Sequence, residues 1–284
     1  MPSKNTIIVT DSSCDLNDEI LKAKDIRFVP LRLITSTKEY RDRVEISDDE
    51  VYSILDREIP TTSLPLPEDV EALYDEIVAE GYKNILHISI SSGLSGTYNM
   101  VRVVAEEYAD KINIKVVDSK TLSGGLGLLV LRASKLLDEG LDMEQIAEKL
   151  EVLRTRETGM FLVQTLEYLR KGGRIGLVEG VVGSLLNIKP IIFVNPDGVY
   201  ETMAKARGAN KAKTLMLEKA VELYKNLLVD VHIVHARVLE EAKELSEKIK
   251  SILSIHKLYI EPVSPVLGMH TGKGLLGIIV LPRS

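Results

Sequence analysis

The sequence predicts an α/β fold of two domains, each a mainly parallel sheet flanked by helices. Three observations carry this reading. The chain has 284 residues, more than the usual size of a single hydrophobic core. Short β-branched runs alternate with segments of 3.6-residue periodicity, the pattern of helices layered on parallel strands. That rhythm restarts near Gly159 and Met160, which divides the chain into residues 1–159 and 160–284.

Taken in order, the expected buried strands are Thr6 to Thr10, Ile26 to Leu33, Ile85 to Ile90, Ile112 to Val117, Lys189 to Val194, Val231 to His235 and Leu275 to Leu281. The expected helices are Glu68 to Glu80 behind Pro67, Met100 to Tyr108, Gly124 to Glu139, Met143 to Thr155, Asn210 to Leu227 and Leu239 to Ser254. The stretch Leu128-Leu129-Val130-Leu131 is apolar on nearly every side, so its helix is expected between layers rather than on the surface.

Composition narrows the function classes. Lys and Arg total 36 against 42 Asp and Glu, a net charge of -6, which argues against a general nucleic-acid binder. A single cysteine, Cys14, rules out an intramolecular disulfide and a multi-cysteine metal site, and cytoplasm is the expected compartment. The N-terminus runs directly into a strand pattern with no secretory signal, and no run of about 20 apolar residues offers a bilayer span. With no Trp and only 3 Phe, a large interior must be lined mainly by aliphatic side chains.

Three loops carry candidate chemistry. The tract Ile90-Ser91-Ser92-Gly93-Leu94-Ser95-Gly96-Thr97-Tyr98-Asn99 follows a strand and opens a helix, where free backbone N–H groups and hydroxyls suit a carboxylate or phosphate. Helix capping by Ser92 or Ser95 is the plainer alternative. A second polar loop, Pro60-Thr61-Thr62-Ser63-Leu64-Pro65-Leu66-Pro67, approaches a helix in extended form. The third, Gly268-Met269-His270-Thr271-Gly272-Lys273-Gly274, places one histidine in a glycine-rich turn before the last strand, where its ring could hold a carboxylate. No second histidine or cysteine stands at ligand spacing, so no metal is expected.

Other chemistries fit less well. Gly93-Leu94-Ser95-Gly96-Thr97 offers only a shifted form of a nucleophile elbow, and no acid partner for His270 is visible, so a serine hydrolase is a minority reading. Gly125-Leu126-Gly127 lacks the third glycine of a dinucleotide fingerprint and no Walker lysine pattern occurs. Arg170, Lys171 and Arg174 flank a glycine turn, with Lys205 and Arg207 further on; these are solvated surface or phosphate contacts.

Seven motifs, in order along the whole chain, resemble the DegV family: Val9-Thr10-Asp11-Ser12-Ser13-Cys14-Asp15-Leu16, Thr61-Thr62-Ser63-Leu64-Pro65, Ile90 to Tyr98, Tyr168-Leu169-Arg170-Lys171-Gly172-Gly173-Arg174-Ile175, Leu185 to Ile191 with Lys189-Pro190, Lys205-Ala206-Arg207 and His270-Thr271-Gly272. The resemblance implies a DegV-like two-domain fold that holds a long-chain fatty acid in an apolar tunnel of the C-terminal domain. It further implies the fatty-acid-binding subunit of a bacterial fatty acid kinase, which presents its ligand's carboxylate to a separate ATP-binding subunit and feeds phospholipid synthesis. On that reading the chain is not itself an enzyme and needs no cofactor. The family's carboxylate ligands fall on Thr62, Ser92 or Ser95, and His270, with Ser63 and Gly93 as neighbours. Arg174, Lys205 and Arg207 match positions for partner or phosphate contacts. Lys273 departs from the pattern, standing where many relatives have proline. A serine-dependent acyl hydrolase and a lipid-responsive regulatory protein are the alternatives.

Overall fold

The computed structural model describes residues 5–181 and 187–283. Leu185 and Leu186 of the fifth motif lie outside these residues. The first half of the chain supplies strands β1 (Thr6–Asp11), β2 (Ile26–Val29), β3 (Arg32–Ile34), β4 (Glu39–Arg41), β5 (Thr61–Ser63), β6 (Asn84–Ser89) and β7 (Asn113–Asp118). With them come helices α1 (Asp18–Ala23), α2 (Asp48–Leu55), α3 (Pro67–Ala79), α4 (Thr97–Glu107), α5 (Ser123–Asp138) and α6 (Met143–Arg154). The remainder supplies β8 (Thr158–Leu162), α7 (Glu167–Lys171), β9 (Ile188–Val194), β10 (Tyr200–Arg207), α8 (Ala209–Tyr224), β11 (Leu228–His235), α9 (Leu239–Lys250), β12 (Ser254–Pro262), α10 (Pro265–Thr271) and β13 (Leu276–Pro282).

The first sheet is wholly parallel, in the order β2-β1-β6-β7. Its inner strands β1 and β6 are buried at nearly every position, as strands covered on both faces must be. The expected strand from Ile26 to Leu33 is two strands. Pro30 has no N–H to give a ladder, so β2 ends at Val29 and β3 starts a separate antiparallel sheet in the order β4-β3-β5.

The second large sheet corrects the expectation of mainly parallel strands. Its order is β10-β9-β8-β13-β11-β12, and only the β11–β12 pair is parallel. The reason is local. Asn195-Pro196-Asp197-Gly198 is turn chemistry, and a tight hairpin between β9 and β10 requires antiparallel strands. Helix α5 is buried on nearly all sides, as its apolar circumference predicts. It packs on β1 and β6 of the first sheet and on β8, β11 and β13 of the second, so one core runs through both.

His270 also departs from expectation. It lies in the last turn of α10, not in a glycine-rich turn. Pro265 at the helix start and Gly272 just past its end, at φ 71°, fix the two limits of this short helix.

Candidate functional site

A cavity of about 40 Å³ gathers Thr62 and Ser63 from β5, Ser95 from the serine loop, His270 from α10 and Arg174 beyond α7. Leu31, Ile90, Leu94 and Val266 complete its apolar side. A second cavity of about 40 Å³ is almost wholly apolar, with Met160, Phe161, Val194, Val234, Leu275 and Ile279 in its wall. Leu122, Tyr200 and Leu267 line both, so the polar and apolar cavities adjoin across these three side chains. The apolar cavity's wall is mainly aliphatic, with Thr121, Ser123 and Thr271 as its polar members and with Phe161 and Tyr200, whose rings meet edge to face at 5.2 Å.

Antiparallel pairing of β5 with β3 places Thr62 opposite Leu33 and Ser63 opposite Arg32. Thr62 Oγ1 lies 2.9 Å from His270 Nε2. His270 is 7% exposed, and burial, helped by the positive charge of Arg174, pushes its pKa down to about 3. The ring is therefore neutral at physiological pH. With the proton on Nε2, the imidazole donates to Thr62 Oγ1 and leaves the hydroxyl's own hydrogen free for an incoming anion. The other nitrogen, Nδ1, is buried with no hydrogen-bond partner and lies against Gly172, where a Cβ would stand 2.2 Å from it. Arg174 is held over the cavity by donating from Nη1 to the Gly172 carbonyl at 2.6 Å.

Helix α10, which carries His270, is anchored by two buried carboxylates that sequence reasoning did not assign. Asp15 accepts from the Ser264 N–H at 2.8 Å and from the Ser123 hydroxyl, and Asp42 accepts from the Val266 N–H at 3.0 Å. Burial raises both, Asp15 to about 6 and Asp42 to about 7, against the hydrogen bonds that favour their charged forms. Ser264-Pro265 was the legible cue for this helix start. Asp11 is fully buried too: it caps the turn at Ser12–Cys14 and accepts from Ile90 N–H at 2.7 Å, tying the serine loop to β1.

The serine loop divides its hydroxyls among different tasks. Ser91 donates to the Gly198 carbonyl at 2.7 Å and accepts from the Gly93 N–H, which docks the loop on the β9–β10 hairpin. Gly198 has φ +82°, and a Cβ there would reach within 2.1 Å of Ser91 Oγ. Gly93 faces that carbonyl and is not in the cavity wall. Ser92 is also outside the wall; its hydroxyl accepts from Lys120 Nζ at 2.8 Å and its N–H donates to Asp118. Ser95 alone of these serines lines the cavity, with its Oγ 2.8 Å from Thr97 Oγ1. Lys205 and Arg207 are exposed on the edge strand β10, about 17 to 23 Å along it from Tyr200 at 3.3 Å per residue, and the structure does not bring them to the cavity.

The chemistry of the site suits one anion, since hydroxyls, a neutral imidazole and a guanidinium can satisfy a carboxylate's lone pairs, and the adjoining cavity offers apolar surface. No helix of the described residues is long and apolar enough to cross a membrane. The family model described as "Uncharacterised protein, DegV family" matches residues 5–283. A DegV domain-containing protein of Clostridium acetobutylicum is 39% identical over 280 residues, 97% of this chain and 98% of that one. A fatty-acid-binding DegV family protein from Thermus thermophilus has the same fold, with TM-score 0.90 and 32% identity over 98% of this chain and 99% of that one. A stearic-acid-binding protein from Eubacterium ventriosum superposes with TM-score 0.88 and 31% identity over 97% of this chain and 98% of that one. The two-domain α/β chain belongs to the DegV family.

Proposed function

We propose that this protein binds one long-chain fatty acid, with its carboxylate among Thr62, Ser63, Ser95, His270 and Arg174 and its acyl chain in the apolar cavity beyond. The observation that carries the reading is that the polar and apolar cavities adjoin, sharing Leu122, Tyr200 and Leu267 in their walls. The fatty acids bound by the Thermus and Eubacterium relatives support it. Each buried CH2 contributes about 0.8 kcal/mol, so an acyl chain supplies most of the affinity. Cavities of about 40 Å³ each are smaller than such a chain, so the aliphatic wall must part to admit it. The acyl cavity draws mostly on residues 160–284, which we take as the second of two domains divided near Gly159.

In this reading the protein is a carrier without turnover of its own, working in the cytoplasm of a bacterium with no resident cofactor. A separate ATP-binding subunit phosphorylates the presented carboxylate, and the acyl phosphate enters phospholipid synthesis. Arg174 can follow the negative charge from carboxylate to phosphoryl group, and Lys205 and Arg207 offer exposed cations to a partner. Ser92 and Gly93 support the loop that presents Ser95. A serine hydrolase finds less support, because His270 bonds to Thr62 rather than to a serine and no carboxylate among the described residues bonds its Nδ1. The test is to incubate the lipid-loaded protein with MgATP, alone and with a fatty acid kinase ATP-binding subunit, and to trap acyl phosphate with hydroxylamine. Hydroxamate only in the two-component mixture supports the reading; hydroxamate from neither contradicts it.

A further inference from the structure

A separate groove of about 540 Å³ runs along the second half of α5, between α1, β12 and Arg283. It shares no residue with the two acyl cavities, and Arg132 lies about 15 Å along the helix from Leu122 at 1.5 Å per residue. Five of its residues are cationic, Lys24, Arg132, Lys135, Lys257 and Arg283, and His256 stands among them. Asp230 is the only acid in the wall. In a chain of net charge -6 this is a local excess of the opposite sign.

The buried part of the groove is tied together by hydrogen bonds. Asp230 accepts from Arg132 Nη2 at 3.2 Å and from Arg283 Nη1 at 3.4 Å, and His256 Nδ1 lies 3.0 Å from Asp230 and 2.7 Å from Arg283 Nη1. One carboxylate thus fixes two guanidiniums and neutralises only one. Arg132 is 8% exposed and also donates from Nη1 to the Arg283 carbonyl, so its place is set by the fold. The rim is different. Lys24 and Lys135 pair with exposed Asp138 and Glu139, contacts that contribute little, and Lys257 has no ion pair among the described residues. Ile20, Leu128, Leu131 and Tyr259 give the groove an apolar floor beside its cationic wall.

We propose that this groove is a second binding site, for an organic phosphate, meaning a phosphate ester attached to an apolar body. Two guanidiniums fixed beside one carboxylate, with lysines at the rim, suit a dianion, and a singly charged group leaves them under-compensated. The volume exceeds what bare phosphate needs and falls in the range of small-molecule sites, and the apolar floor accounts for the rest of the ligand. The same chemistry describes a soluble phosphate ester and a phospholipid headgroup. The proposal does not depend on the fatty acid reading.

The experiment is calorimetric titration of the full chain with phenyl phosphate, and co-sedimentation with phosphatidylcholine vesicles with and without phosphatidic acid. Lys24→Glu and Lys257→Glu, both at exposed positions of the rim, are the test variants. Binding that weakens with salt and falls by roughly tenfold or more in the double variant, with extractable fatty acid unchanged, is the expected result. Response to phenyl phosphate identifies a soluble ester, and response only to vesicles containing phosphatidic acid identifies a headgroup; either supports the site. Absence of binding to both probes, or binding indifferent to the charge reversals, overturns it.

Discussion

Replacing Thr62 by Val exchanges a hydroxyl for a methyl of nearly the same shape and removes the 2.9 Å contact to His270 Nε2. That contact is the one hydrogen bond of the ring among the described residues, since Nδ1 is buried without a partner. At 7% exposure the imidazole has little access to replacement water. Leaving Nε2 unpaired costs about 1–3 kcal/mol, which lowers the melting temperature of a chain this long by about 2–6 °C. The effect on ligand is separate. A carboxylate that loses a donated hydroxyl bond loses about 1.5–3 kcal/mol, or about 10- to 150-fold in Kd. Thr62→Ser keeps the hydroxyl and should stay near wild type in both respects. Calorimetry on lipid-free protein reads the first quantity, and displacement of a fluorescent fatty acid reads the second. Wild-type affinity in Thr62→Val would refute the placement of the carboxylate, even if stability falls as calculated.

Further expectations follow from the same geometry. Ser95→Ala should weaken fatty acid binding by roughly 1 kcal/mol, about fivefold, whereas Ser92→Ala should leave it within about twofold, because Ser92 Oγ is turned to Lys120; equal losses in a displacement assay would show that both serines reach the ligand. Leu267→Trp fills the junction shared by the two cavities, so Kd measured from octanoate to stearate should stop improving with chain length; an unchanged gain of about 0.8 kcal/mol per CH2 would mean that the chain takes another path. Asp42, raised to about 7 by burial, binds its proton in the folded state while the unfolded carboxyl releases it near 3.8, so it stabilises the fold as pH falls through 7 and that contribution is lost as pH rises. His87 and His270, lowered to about 3, act oppositely and destabilise the fold as pH drops below 6.5. Asp42→Asn removes one arm of this opposition, so urea titrations from pH 6.5 to 4.5 should show the variant losing about 1.4 kcal/mol per pH unit more than wild type; parallel profiles would place the Asp42 titration elsewhere.

Much of this structure was legible along the chain, where the signal is local. The apolar runs of β1 and β6, and the helices α3, α5 and α6, stand close to their expected limits because burial on both faces, Pro67 at a helix start and an apolar circumference leave marks in consecutive residues. The second sheet misled because strand runs in the sequence do not state their direction; only the Pro196-Asp197-Gly198 turn does, and it fixes a single hairpin. The candidate residues show the same limit. Thr62, Ser63, Ser95, Arg174 and His270 come together from distant segments, but nothing near Ser92 reveals that its hydroxyl turns to Lys120. Asp15 and Asp42 hold α10 across 249 and 224 residues, a relation that no spacing along the chain encodes.

The most direct measurement is to denature the purified protein, extract it with organic solvent and identify the extract by mass spectrometry, then titrate the lipid-free chain with the acid recovered. One long-chain fatty acid per protein, rebinding at one site, is the predicted result. An extract without fatty acid, from a chain that then binds neither palmitate nor oleate, would contradict the account at its centre.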